Sequence, residues 1–347
     1  MTEIQIRKSG RVGRITLARP KALNALTHDM VHALVDALPR FAADDGIAML
    51  VIDAEGEKAF CAGGDIAGIY HAMVAGEFEK PRKFWRDEYR VNKALFDFPK
   101  PVATFMQGFV MGGGVGLGCH ASHRIVGDTS RMAMPECGIG LIPDVGGSLL
   151  LARAPGRLGE YIGVTGHRMG PGDAIFAGFA DYYIPETDWP ALIARLEETG
   201  DWQAIDRAAR PATETKIEPE LPDINEHFGG ETLRDILRSL DHKADEWATE
   251  TRQALNRLCP ISMACTVELV HRARTRDRMD EALKAEYRFG HRIVEMGDFR
   301  EGIRAAIIDK DKSPKWRHAR PEDPTPAEVS AMLQPLGADE LKLEEST

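Results

Sequence analysis

Two carboxylates, Glu136 and Asp144, stand in the segment Met134-Pro135-Glu136-Cys137-Gly138-Ile139-Gly140-Leu141-Ile142-Pro143-Asp144-Val145-Gly146-Gly147. Each acid follows a proline, and the residues between them are apolar or glycine. Acids set in apolar surroundings are desolvated, which lifts their pKa toward the range where they exchange protons near neutral pH. If the two are close in space they also repel, which leaves one protonated and one ionised. A plainer role exists for each, as the cap of a turn or helix. Asp144, just ahead of Gly146-Gly147, is well placed as an N-cap.

Two glycine-rich turns offer a second kind of chemistry. One is Cys61-Ala62-Gly63-Gly64-Asp65 and the other is Met111-Gly112-Gly113-Gly114-Val115-Gly116-Leu117-Gly118. Each follows a buried-strand pattern by a few residues and leads into a helical one. A turn ahead of a helix presents backbone N–H donors without intrahelical partners. Two such donors aimed at one point form an oxyanion hole, where fixed dipoles meet charge developing on a carbonyl oxygen. For either turn alone, the tight geometry and close packing that glycine permits explain it as well.

Other chemistries find no support. There is no G-x-x-x-x-G-K-[ST], no G-x-S-x-G and no H-E-x-x-H. A loose G-x-G-x-x-A from Gly116 to Ala121 lies too far beyond the strand at 102–106 to be its first turn. His120 and His123 have no third ligand nearby in sequence, so no metal is expected. The cysteines Cys61, Cys119, Cys137, Cys259 and Cys265 are odd in number and widely spaced. They suit a reducing compartment rather than a disulfide framework.

The elements that must position these residues read as follows. Ile4 to Leu17 alternates on both sides of Ser9-Gly10, as a hairpin does. Residues 27–43 carry an apolar stripe at helical spacing behind the N-cap Thr27, with Pro39 as a kink or early end. Short apolar runs at 49–52, 102–106 and 124–126 fit buried strands, and their alternation with helical patterns argues an α/β domain with largely parallel strands. The chain divides into a core at 1–199, a Pro- and Glu-containing linker at 200–230 and a helical region at 231–347. With 44 Lys+Arg against 54 Asp+Glu, the net charge is −10, which argues against a nucleic-acid partner. No apolar run is long enough to span a membrane. The first residues carry an acid and alternate at once, unlike a signal or transit peptide, so a cytoplasmic location is expected.

Together, Asn24-Ala25-Leu26, Phe60-Cys61-Ala62-Gly63-Gly64-Asp65-Ile66, Gly112-Gly113-Gly114 and Pro135-Glu136 with Gly138-Ile139-Gly140 make the chain resemble the crotonase, or enoyl-CoA hydratase/isomerase, superfamily. Further segments carry the likeness across nearly the whole chain, toward the branch that hydrolyses small 3-hydroxyacyl thioesters. They are Arg86-Asp87-Glu88-Tyr89, Gly140 to Gly147, Val164-Thr165-Gly166, Glu286-Tyr287-Arg288, Asp298 to Ala305 and Asp309 to Trp316.

The resemblance implies a spiral of ββα units with a helical C-terminal region. It implies a small-molecule acyl-CoA substrate, no cofactor beyond the coenzyme A of that substrate, and a place in valine breakdown. It assigns the oxyanion to the N–H groups of Ala62 and Gly113, catalysis to Glu136 and Asp144, the acyl hydroxyl to Glu88, and further substrate contacts to Gly64 and Asp65. Hydratases of the family carry a first glutamate where this chain has Gly116, and Asp144 is an added acid. That exchange favours hydrolysis over hydration or isomerisation, the alternative on the same fold. Family members assemble differently through their C-terminal helices, so a homo-oligomer is admitted without a defined order.

Overall fold

The computed structural model describes residues 3–243 and 245–343. The chain forms two compact units. One comprises Met1–Gly64, Asp87–Ala133 and Arg168–Glu218; the other comprises Asp65–Arg86, Met134–His167 and Pro219–Thr347. Both are assembled from separated pieces, so the serial division at 199 and 230 does not describe them. Residues 200–230, expected as a linker, contain the helices Gln203–Ala208 and Leu221–His227. Ile205 anchors the first and Ile224 and Phe228 the second, all fully buried. Helices of two turns or fewer are too short to display an apolar period.

Among the described residues, the first unit holds nine strands: β1 (Ile4–Ser9), β2 (Val12–Leu17), β3 (Met49–Ala54), β4 (Ala59–Cys61), β5 (Val102–Met106), β6 (Phe109–Met111), β7 (His123–Val126), β8 (Arg131–Ala133) and β9 (Tyr182–Tyr183). A six-stranded sheet runs β1-β2-β3-β5-β7-β9, and a three-stranded sheet runs β4-β6-β8. Of these strand pairs among the described residues, β1–β2 is antiparallel and the rest are parallel. Three times the chain passes from the large sheet to the small one and then into a helix: β3-β4, β5-β6 and β7-β8, each followed by a helical turn. This is the expected spiral of ββα units. Its core packs Val51, Phe105 and Ile125 against Trp189 and Leu196.

Local chemistry explains the first elements. Gly10, at φ +55°, takes the first turn position between β1 and β2. Thr27 accepts from the Met30 N–H at 3.3 Å and starts the helix His28–Ala43. Pro39 neither ends nor breaks that helix. A mid-helix proline costs ~3 kcal/mol, and here it lies on the exposed side while Leu34, Leu38 and Phe41 bury the other.

The second unit is helical. Gly147–Arg153 and Leu158–Thr165 pack on the long helix Pro260–Arg276, which is followed by Met279–Met296 and Asp298–Ile303. Glu160, fully buried, ties two of these helices together: it accepts from Arg274 at 2.6 and 2.9 Å, and the His271 ring lies at 3.1 Å. Among the described residues no helix is long and apolar enough to cross a membrane.

Candidate active site

Strands β4 and β6 are parallel neighbours, with Cys61 in register with Val110. The residues that follow each strand, Ala62 to Gly64 and Gly112 to Gly114, therefore leave the small sheet from the same end. Gly114 sets their spacing: a Cβ there would stand 2.1 Å from the Cys61 carbonyl oxygen. Only a bare Cα lets the two turns lie this close.

The segment Leu23 to Leu26 then fixes the first turn. Leu23 and Asn24 both take the left-handed region, at φ 51° and 54°, a conformation Asn tolerates well. The Asn24 amide donates to the carbonyls of Glu55 (3.0 Å) and Ala59 (2.9 Å) and accepts from the Arg19 N–H (2.8 Å). Held in this way, the segment pairs with the glycine turn: Leu26 N–H donates to Gly63 O at 2.9 Å and Ala62 N–H to Leu23 O at 3.0 Å.

That last bond corrects one assignment. The Ala62 N–H is already used by the fold itself, in its bond to Leu23 O. The amides of Gly64 and Gly113 donate to no backbone carbonyl among the described residues. They border the same small space, since a Cβ on Gly113 would lie 3.5 Å from the Gly64 nitrogen. Gly113 is the first residue of the helix Gly113–Gly118, where N–H groups have no intrahelical acceptor. The amides left without a backbone acceptor beside this space are thus those of Gly64 and Gly113.

Glu88 borders this space too. It lies on the helix Glu79–Phe96, is 3% exposed, and its Oε1 would stand 2.6 Å from a Cβ on Gly113. Its flanking charges suggest a solvated helix face, and its burial overrides that pattern. Cys61, also beside the turn, is no nucleophile: burial pushes its thiol up to about 12, and the Glu88 charge adds to the lift. Asp65 follows Gly64 and opens the helix Ile66–Val74 without its side chain capping it.

Glu136 and Asp144 belong to the second unit. Glu136 starts the 3-10 turn Glu136–Ile139. Its carbonyl accepts from Leu141 N–H at 3.0 Å, and the Cys137 carbonyl accepts from Cys259 N–H at 2.9 Å. The helix Asp298–Ile303 packs on this turn backbone to backbone. A Cβ on Gly302 would stand 2.1 Å from Ile139 O, and one on Gly140 2.5 Å from Asp298 O.

Asp144, buried like Glu136, is not the N-cap of the next helix. That position is Gly146, and no side chain caps Gly147–Arg153. Instead the Asp144 carbonyl accepts from Gly147 N–H at 2.7 Å and closes a tight turn. Both inner residues are left-handed, Val145 at φ 55° and Gly146 at φ 81°. A β-branched residue in this region is strained by about 1–3 kcal/mol, and such strain persists only where the surroundings over-determine it.

The element that over-determines it was not singled out as a site residue from the sequence. Glu286, fully buried on the helix Met279–Met296, accepts from Gly146 N–H at 2.8 Å, Ser148 N–H at 3.0 Å and the Ser148 hydroxyl. Burial lifts its carboxyl to about 7; the hydrogen bonds from Ser148 and Gly146 oppose the lift and the Asp144 charge adds to it. The available signal was an acid inside the buried stripe Leu283, Glu286, Phe289, Ile293, where an unsupported carboxylate is costly.

A spiral of ββα units with paired glycine amides and buried acids defines a class. The family model described as enoyl-CoA hydratase/isomerase matches residues 12–333, and the chain belongs to that family. Among curated relatives, it is 34% identical to the mitochondrial 3-hydroxyisobutyryl-CoA hydrolase of Gallus gallus, over 98% of this chain and 91% of the relative. Its identity to the Homo sapiens protein of that name is also 34%, over 98% of this chain and 90% of the relative. Among solved structures, it is similar to an enoyl-CoA hydratase from Rhodobacter sphaeroides 2.4.1, with 52% identity and a TM-score of 0.93 over 98% of this chain and 100% of that one. A carnitinyl-CoA dehydratase from Mycobacterium thermoresistibile is 38% identical, with a TM-score of 0.94 over 100% of both chains.

Proposed function

We propose that this chain hydrolyses the thioester of a small 3-hydroxyacyl-CoA, 3-hydroxyisobutyryl-CoA foremost, to the free hydroxyacid and coenzyme A. The observation that supports this most is the disposition of acids. Position 116, where a hydratase of the family has its first glutamate, is a buried helical glycine, while Asp144 is buried on a strained turn. The curated relatives named above carry the same hydrolase activity in their names.

Hydrolysis needs an oxyanion donor pair, an attacking oxygen and a proton for the departing sulfur. Gly64 and Gly113 supply the N–H groups, a contribution of ~3–4 kcal/mol per donor where such donors are removed. Glu136 supplies the attack, either directly, forming a mixed anhydride that water opens, or by taking a proton from the attacking water. Asp144 orients or protonates. Glu88 receives the acyl hydroxyl, and a buried polar partner of this kind discriminates strongly against acyl groups that lack it. The substrate places the reaction in valine breakdown. All five cysteines are buried free thiols, which supports a reducing compartment; the relatives are named as mitochondrial.

Hydration is the competing reading, favoured by the descriptions of the two solved relatives as a hydratase and a dehydratase. Thiol release from 3-hydroxyisobutyryl-CoA, run beside loss of the conjugated double bond of crotonyl-CoA, separates the two. Thiol release without hydration is the expected result. Loss of the double bond without thiol release overturns the hydrolase reading.

A further inference from the structure

The turn that carries Asp144 is held by a residue far along the chain. All the hydrogen bonds found for the Glu286 carboxylate among the described residues go to this turn and the helix it starts: Gly146 N–H, Ser148 N–H and Ser148 Oγ. No cation pairs with Glu286 among the described residues. A buried acid without a cation is a poor stabilising device, since an apolar side chain of similar volume serves a core at least as well. What the acid does that an apolar residue does not is gather three donors at fixed directions. One of those donors is the amide of Gly146 itself and two belong to Ser148, just past Val145 and Gly146, the two left-handed residues of the Asp144 turn. Without an acceptor at that point, the amides of Gly146 and Ser148 lose the partner that Glu286 gives them.

We propose that Glu286 is a positioning residue for the hydrolysis, clamping the Asp144-Val145-Gly146 turn so that the Asp144 carboxyl is presented in its working geometry. This inference rests on the reading of Asp144 as a catalytic acid. The Asp144 charge also contributes to the electrostatics of Glu286, so the two acids act on each other as well as through the turn.

The test uses the full chain and thiol release from 3-hydroxyisobutyryl-CoA, with Glu286→Gln, Asp144→Asn and the double variant. Gln keeps the shape but turns one acceptor into an amide donor facing a donor of the turn. For Glu286→Gln, kcat is expected to fall by about 100-fold, the effect of a ~1 Å misplacement, while KM stays within about threefold of the parent. On the residual rate of Asp144→Asn, adding Glu286→Gln is expected to cause no further loss, because the clamp acts through Asp144. A folded Glu286→Gln with parental kcat overturns the proposal. So does a loss repeated in full in the Asp144→Asn background, which marks a general structural defect. Asp144→Asn at full rate sinks the reading of Asp144 itself; Asp144→Asn impaired beside a fully active Glu286→Gln sinks the clamp alone. If Glu286→Gln does not fold, Ser148→Ala removes only the hydroxyl donor. Its kcat is then expected to fall about fivefold at unchanged KM, and an unchanged kcat overturns the proposal.

Discussion

The α-carbon of Gly114 rests against the carbonyl of Cys61 so closely that a Cβ would stand 2.1 Å from the oxygen. This contact brings the start of the helix Gly113–Gly118 beside the turn that carries Gly64. Gly114→Ala must push the turns apart, and losing a well-aimed oxyanion donor costs about 100- to 1,000-fold in rate. The expected result is a fall in kcat of at least about 100-fold in a protein that still shows a cooperative melt. Parental turnover in Gly114→Ala would mean the paired amides are not the oxyanion site.

Glu136→Gln separates chemistry from binding. The amide keeps the side-chain shape but neither attacks nor accepts a proton at neutral pH. Turnover is expected to drop by about 100- to 10,000-fold, while calorimetric binding of a CoA ester stays within a few-fold of the parent. Near-normal turnover would remove Glu136 from the mechanism.

Gly302 lies on the helix Asp298–Ile303, and a Cβ on it would stand 2.1 Å from Ile139 O. Gly302→Ala therefore displaces the turn that begins with Glu136. Overpacking of this kind destabilises by about 1–3 kcal/mol, and the thiol-release rate is expected to fall more than the melting temperature alone explains. A variant with lower Tm and parental kcat would show that the turn tolerates the shift.

The acid limb of stability is expected to come in part from Glu160. Burial disfavours its charged form, but hydrogen bonds from His271 and Arg274 outweigh burial and hold the carboxyl at about 2, against an ordinary 4.5 for glutamate. A depressed carboxyl contributes stability that is present above its unfolded pKa. That contribution is lost as pH falls from about 4.5 through about 2. Arg274→Ala removes two charged donors and leaves Glu160 with Arg157 at 3.0 Å and His271 at 3.1 Å, so the expected loss is about 1.5–3 kcal/mol near pH 7, shrinking toward pH 3 as Glu160 takes up a proton. Urea melts at several pH values check it. An equal loss at every pH would show that the guanidinium acts by packing rather than charge.

Much of the scaffold was legible because it is written in local periods. The run Met49 to Ile52 reads as a strand without any neighbour, and Thr27 announces the helix it caps. The small sheet was not legible. β4, β6 and β8 have three residues each, too few to show alternation, yet these strands place the glycine turns side by side. The likeness of Glu286-Tyr287-Arg288 and Asp298 to Ala305 to a known family was visible, but not its cause. Glu286 and Gly302 carry the turns that bear Asp144 and Glu136.

The sequence by itself determined the inventory: two prolyl-linked acids, two glycine turns, the alternation of strands and helices, and the family they resemble. Residue type and near-neighbour spacing are enough for these, because dihedral preference, capping and apolar period are local. Only the tertiary structure decided which amides are left for a ligand and what holds the acids. Whether the Ala62 N–H is available depends on a carbonyl at Leu23, and the shape of the Asp144 turn depends on a carboxylate at Glu286. A hydrogen bond takes its partner from wherever the chain returns in space, so no spacing along the sequence reveals which donors are already used.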